Sequence, residues 1–397
     1  MNTSSYVTEK LGRLASFRTG RLNSNAAKLD GKYPFFTCSQ ETFKTDTCSF
    51  DTECVLLAGN NANGIYSLKY FNGKFDAYQR TYVIEPLNSK DLSTRFLYYA
   101  LRPTLEFLRS ISTGAATKFL TLTILRDIEI PLPKLSTQRR IAAILSAYDD
   151  LIENNTRRIQ ILEEMARRIY EEWFVRFRFP GHENTKMFES KLGLIPVGWE
   201  VQCVTQMIEF DPRTTVPREG VKPFVPMSSL AQDSMLIGNI GSREGNSGSK
   251  FKNGDTLLAR ITPCLENGKT GFVTFLPGNN AVAFGSTEYI VLRSKTVTPE
   301  FVYLTARSER FRQHAIKSMS GATGRQRVRV DSFVEFQLAQ PDKYALDKFS
   351  EVMSPTFKAI SCLSKKNANL RQTRDLLLPK LISGEIDVSN FPEPVSD

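Results

Sequence analysis

The chain has 397 residues, enough for two or three domains. Its hydrophobic fraction of 41% and charged fraction of 24% are those of globular protein, which excludes wholesale disorder. Lysine and arginine number 52 against 42 aspartate and glutamate, and the formal charge of +10 favours an acidic partner such as nucleic acid without identifying one.

The chain opens on Met1–Leu14, which lacks the basic and apolar regions of a signal peptide. Residues 1–134 mix short strand patterns with glycine and asparagine turns. Lys32–Cys38 and Glu53–Ala58 read as strands, Gly59–Gly64 as a loop, and Gly73–Ile84 as a hairpin. Thr94–Ser110 has helical periodicity around Pro103, Ser112–Thr117 is a run of small residues, and Asp127–Pro131 is a strand. A long helix follows Pro133 over residues 135–178, with Ser136 or Thr137 as its N-cap. In heptads its seam carries Leu145, Ile152, Ile159, Ala166 and Trp173 on one position. Ile141, Tyr148, Leu162 and Ile169 fall on the other, which Asn155 interrupts. Such a helix is about 55–60 Å long, more than one domain needs to cover its core.

Residues 179–192 read as a polar linker, and residues 193–341 as a second globular domain. Its strands are Thr256–Ile261, Gly271–Phe275, Glu288–Leu292 and Phe333–Leu338, and Phe301–His314 is helical. Residues 342–383 form a second long helix and 384–397 a tail. Order and spacing repeat. Phe96-Leu97-Tyr98 matches Phe301-Val302-Tyr303, Ala116-Thr117 matches Ala322-Thr323, and Ile128-Glu129-Ile130 matches Val334-Glu335-Phe336, at an offset of about 205–208. The chain reads as α+β, two tandem copies of a globular domain followed by a long helix.

The second helix has apolar residues at Phe349, Met353, Ile360, Leu363, Leu370, Leu377 and Leu381. Pro355 predicts a kink or late start, and Pro379 an irregular last turn. Antiparallel packing pairs residues whose numbers add to a constant. A total of 522 sets Ile141 with Leu381, Leu145 with Leu377, Ile152 with Leu370, Ile159 with Leu363, Leu162 with Ile360, Ile169 with Met353 and Trp173 with Phe349. Asn155 then faces Asn367, and a buried asparagine pair can fix register.

Enzyme signatures are missing. The sequence has no GxxxxGK[ST] phosphate loop, no GxGxxG after a strand, no [DNS]PP[YF], no HExxH and no GxSxG. The six cysteines form no CxxC pair, and only His182 and His314 could join them, so no metal site is expected and free thiols in a reducing cytoplasm are. No run of 18 apolar residues predicts a membrane span. Asp149, Asp150 and Glu153 read as a solvated helix face, and His314 as structural. What remains is binding through Lys74, Arg80 and Lys118 in the first domain and Arg243, Arg260, Lys269, Arg325, Arg327 and Arg329 in the second. In Arg325–Arg329, strand alternation would put three guanidinium groups on one face.

Ile130–Leu145 (IPLPKLSTQRRIAAIL), Trp173–Gly181 (WFVRFRFPG), Gly193–Glu200 (GLIPVGWE) and Leu376–Val388 (LLLPKLISGEIDV) give the chain its family likeness. Over nearly its whole length it resembles the specificity subunit of a type I restriction-modification system. The second copy departs from the pattern, because Gln340–Phe349 lacks the Pro-x-x-x-x-Gln-x-x-Ile of Pro133–Ile141. The resemblance implies a non-catalytic subunit whose two target-recognition domains read the halves of a bipartite, asymmetric double-stranded DNA site. It implies antiparallel helices as spacer, and two methyltransferase subunits docked on them. S-adenosylmethionine, ATP and Mg2+ belong to the methyltransferase and restriction subunits, and this chain needs no cofactor of its own. Two other classes compete: a stand-alone nucleic-acid enzyme, and a coiled-coil adaptor that binds only proteins.

Overall fold

Cys54-Val55-Leu56-Leu57-Ala58 is apolar on both faces, and all five side chains are buried. A strand of that kind needs cover on both faces and partners at both edges. The computed structural model describes residues 6–61, 65–111, 118–278, 280–322 and 324–392, with the side chains of 61, 111 and 118 excepted. The small-residue run Ser112–Thr117, Thr323 in the second such run, part of the Gly59–Gly64 loop and the last five residues of the tail lie outside it. The chain divides into two compact units, residues 1–153 with 368–397, and residues 154–367. Both long helices cross that division.

In the first unit Phe50–Ala58 lies inside a six-stranded sheet, with Leu68–Ala77 on one side and Thr81–Pro86 on the other. Ala15–Thr19 adds to Thr81–Pro86, and Tyr33–Phe36 to Leu68–Ala77. The expected Gly73–Ile84 hairpin does not form. Its two strands pair with the buried central strand instead of with each other, because that strand has both edges to satisfy. Phe36, Phe50, Phe75 and Val83 pack on one face of the sheet. On the other, Val55, Leu57 and Ile84 meet Phe96 and Leu97 of helix Thr94–Leu101. That core continues without a break to Ile141 and Leu145 of the first long helix and to Leu378, Leu381 and Ile382 of the second. Pro103 ends the short helix, and a new one starts at Thr104.

In the second unit two four-stranded sheets enclose Val225, Phe251, Leu257, Ala283 and Tyr289. Helix Pro299–Arg307 has Pro at its first turn and Thr298 as cap, whose Oγ1 accepts from Phe301 N–H at 3.2 Å. Ser93 caps Thr94–Leu101 in the same way through Phe96 N–H, so the Phe96/Phe301 equivalence is one of structure.

Each globular fold is closed by a strand near its start pairing with the last strand before a long helix: Thr8–Lys10 with Glu129–Pro131, and Glu200–Cys203 with Gln337–Gln340. Thr8 opposes Pro131 and Glu200 opposes Gln340. The match of Ile128–Ile130 to Val334–Phe336 is therefore out by three residues, and Val330–Glu335 forms 3-10 turns where a strand was expected. The apolar residues Phe333 and Phe336 supply the misleading pattern; both are buried against Phe311.

The first long helix runs Leu135–Tyr170 and passes into one turn of π-helix, Glu171–Val175. It starts one residue before Ser136, with Lys134 O accepting from Gln138 N–H, so neither expected N-cap serves. The second runs unbroken over Lys343–Ser383, through Pro355 and Pro379. Asp342 caps it, accepting from Ala345 N–H at 2.8 Å. An interior proline costs about 3 kcal/mol, and burial of Met353, Phe357 and Ile360 around Pro355 offsets it. Residues 179–192, expected as a linker, contain the strand Met187–Ser190, paired with Gly193–Pro196. No helix among the described residues is long and apolar enough to cross a membrane.

Candidate nucleic-acid interface

Specific side chains hold each globular domain on a long helix. In the first unit Gln138 does this. It is fully buried, its Nε2 donates to Asp91 O and Pro133 O at 2.8 Å each, and its Oε1 accepts from Ser93 N–H at 2.9 Å. One amide thus joins the long helix to the loop that caps Thr94–Leu101. Asp149, expected on a solvated face, instead accepts from Tyr99 Oη at 2.8 Å and pairs with Arg102 at 3.5 Å and with Arg374 of the second long helix. The second copy fixes its domain through Glu163, where Oε1 accepts from Ser234 Oγ at 2.8 Å and Met235 N–H at 2.6 Å.

The seam residues lie as follows. In the first unit Ile141, Leu145, Ile152 and Leu381 are buried, and Leu370 and Leu377 half-buried. In the second, Ile159, Met353 and Ile360 are buried, with Leu162, Ile169, Trp173 and Leu363 packed on the same core. Trp173 and Phe349 rings are 5.8 Å apart. Asn155 and Asn367 are both buried, and Asn155 Nδ2 donates to Asn367 Oδ1 at 2.9 Å. Asn367 Nδ2 donates in turn to Thr156 Oγ1 at 3.2 Å.

Glu163 titrates in an unusual sense. Burial raises its carboxyl above the ordinary value, against the Met235 N–H and Ser234 hydroxyl bonds and the Arg307 and Arg167 charges. A raised carboxyl favours the folded state fully below the unfolded pKa of about 4.3, and that contribution is lost as pH rises through the folded value. Glu163→Gln keeps an oxygen for both donors and removes the buried charge. It should be at least as stable as the parent chain at pH 7, with the difference vanishing near pH 4. Urea unfolding at both pH values checks this, and a variant markedly weaker at pH 7 would contradict it.

The expected DNA contacts scatter. Lys74 is exposed opposite Asp51 in the sheet, and Arg80 is exposed with its guanidinium 5.3 Å from the Phe119 ring. Lys118 pairs through its backbone with Asn61, and its side chain lies outside the described residues. Arg243 is exposed on Gly241–Glu244, 5.1 Å above the Phe224 ring. Lys269 donates to Met227 O at 3.2 Å. Arg325–Arg329 forms no strand beyond single bridges at Arg327, yet alternates as expected: Arg325, Arg327 and Arg329 are exposed and Val328 is buried. Two of the three are engaged. Arg327 makes a bidentate pair with Glu288, at 2.8 and 2.6 Å, and Arg329 pairs with Asp331 at 3.2 Å. Arg325 has no ion-pair partner among the described residues.

Arg260 lies in a groove of about 430 Å³ with Asp211, Arg213, Lys250 and Thr287, four residues that the sequence reading passed over. Arg213 lies in an irregular segment and Lys250 in the strand Ser249–Lys252, with no basic run to mark either.

Comparison with known proteins identifies part of this assembly. Residues 4–164 match the type I restriction modification DNA specificity domain. The chain is similar to the EcoDI type I restriction enzyme specificity subunit of Escherichia coli, 34% identical over 231 residues, or 53% of this chain and 51% of that one. It therefore spans about half the length of that relative. It is also 25% identical over 315 residues to the MjaIX specificity subunit of Methanocaldococcus jannaschii, covering 75% of this chain and 70% of that one. The fold is similar to that of a type I restriction-modification S subunit from M. genitalium, with a TM-score of 0.62 at 15% identity and 98% of both chains covered. The matched segment includes the Gln138 bonds and most of the first long helix, and it ends at Glu164, beside the residue that holds the second domain's loop.

Proposed function

We propose that this chain is the non-catalytic DNA-reading subunit of a type I restriction-modification complex. Its two globular domains each read half of a bipartite, asymmetric double-stranded site, and the long helices set the spacing between the halves. The observation that carries this reading is the specificity-domain match over residues 4–164. The repeated order of closing strand pair and long helix supports a second reader of the same kind. Two methyltransferase subunits dock on the helices, where Leu151, Ile161, Met165 and Leu376 are exposed. They bring S-adenosylmethionine, and restriction subunits bring ATP and Mg2+. Among the described residues no group of acidic, histidine or cysteine side chains could hold a metal ion.

The test is spacing. A heptad added to each helix beside Asn155 and Asn367 preserves the seam and lengthens the pair by about 10 Å, near three base pairs at about 3.4 Å each. Mapping modified adenines in cells carrying the complete system should show the gap in the recognised site lengthened, or recognition abolished. Methylation of the original site unchanged by the insertion would defeat the ruler.

A further inference from the structure

Resting on the DNA-reading function above, we propose that the groove around Asp211 and Arg260 reads the edge of one G·C base pair in the second domain's half-site. Three cations, Arg213, Lys250 and Arg260, share it with one carboxylate, Asp211. A groove that only gripped phosphate would be weakened by that carboxylate, since like charges repel. A base pair needs both signs. Arginine donates to guanine O6 and N7, and an acidic side chain accepts from cytosine N4 in the major groove.

Asp211 is fixed for such a task. It holds a left-handed φ of +48°, uncommon outside glycine. Its N–H donates to Val291 O at 2.7 Å and its Oδ1 accepts from Val291 N–H at 2.9 Å. The other oxygen, Oδ2, has no hydrogen-bond partner among the described residues. Arg260 donates from Nη2 to Val328 O at 2.8 Å, and its buried Nε has no partner. That anchor leaves part of the guanidinium unspent. Arg213 and Lys250 have no ion-pair partner among the described residues, which suits contacts to the phosphates flanking the pair. The groove wall is backbone at Gly248, where φ is +124° and an added Cβ would meet Gly285 O at 1.9 Å. A side chain there would displace the strand that carries Lys250.

Asp211→Asn tests this, because its amide oxygen can still accept from Val291 N–H while its other atom turns from acceptor to donor. The chain is prepared with its methyltransferase partner, and duplexes carrying each single base-pair change in the recognised site are bound in competition. Discrimination at one G·C position should fall by about 10–100-fold, with the other half-site read as before. Arg213→Ala and Lys250→Ala should weaken all duplexes alike and each reduce the salt slope by about one. A parent complex with a sequence preference that Asp211→Asn leaves unchanged, or an Asp211→Asn variant that weakens every duplex equally, overturns the assignment alone. A parent complex with no sequence preference overturns the DNA-reading function with it.

Discussion

Gln138→Leu should destabilise the first unit by about 3–5 kcal/mol, although the side chain changes little in volume and the site is fully buried. The amide serves three backbone groups, Asp91 O, Pro133 O and Ser93 N–H. A buried group left without a partner costs about 1–3 kcal/mol, and the leucine's own burial returns part of the total. Gln138→Glu separates hydrogen bonding from packing. An ionised carboxylate would face two carbonyl oxygens with nothing to donate, so its cost should equal or exceed that of leucine at pH 7. Protonation restores a donor, so the deficit should shrink in acid. Urea unfolding of the full-length variants at pH 7 and pH 4 measures both effects. A leucine variant within 1 kcal/mol of the parent chain would mean that water or a backbone shift satisfies these groups.

That residue also shows where sequence reading stops. The spacing Pro133 to Gln138 to Ile141 was legible as a family likeness, but its purpose was not, because Asp91 and Ser93 lie 47 and 45 residues away. The heptad seam was legible because a repeat of 3.5 residues is written locally. The asparagine interruptions at 155 and 367 gave the one total that sets polar against polar, and the structure has those two side chains hydrogen-bonded. Strand neighbours were not legible. Leu68–Ala77 and Thr81–Pro86 are adjacent in sequence, yet each satisfies a different edge of Phe50–Ala58. Phe333 and Phe336 misled the repeat alignment because helical turns and strands both bury aromatic residues.

Charge along the sequence does not tell which cations the fold leaves unpaired. A count of arginines makes Arg325–Arg329 the richest stretch, but Glu288 and Asp331 engage two of its three guanidinium groups. Those acids are ordinary residues in the sequence and become partners only through the fold. The groove reverses the situation. Arg213 and Lys250 are isolated in sequence, and the two sheets bring them beside Arg260. Reading cationic density along the chain therefore overstates paired runs and misses unpaired residues gathered from separate strands.

The second large effect is expected at Asp149. Replacing it with alanine should cost about 3 kcal/mol, since removing one member of a buried pair leaves the other charge uncompensated. Here two cations each lose a partner. Arg374 has a side chain only 11% exposed, and Arg102 lies 3.5 Å from the same carboxylate, with its Nη1 buried and without a hydrogen bond. Asp375 stays against Arg374 at 2.8 Å, but it is 59% exposed and solvent screens it. The loss should depend little on salt, because buried pairs are screened far less than surface ones. Asp149→Ala with Arg374→Met should recover much of the stability, since a hydrophobic replacement of the whole pair avoids burying an unpaired cation. A double-mutant cycle by chemical unfolding should therefore give a coupling of at least about 1 kcal/mol. If Asp149→Ala costs the same with and without Arg374→Met, the two residues are uncoupled and Tyr99 and Arg102 explain the position of the aspartate. If they are coupled, the second helix is tied to the first unit by charge as well as by its apolar seam.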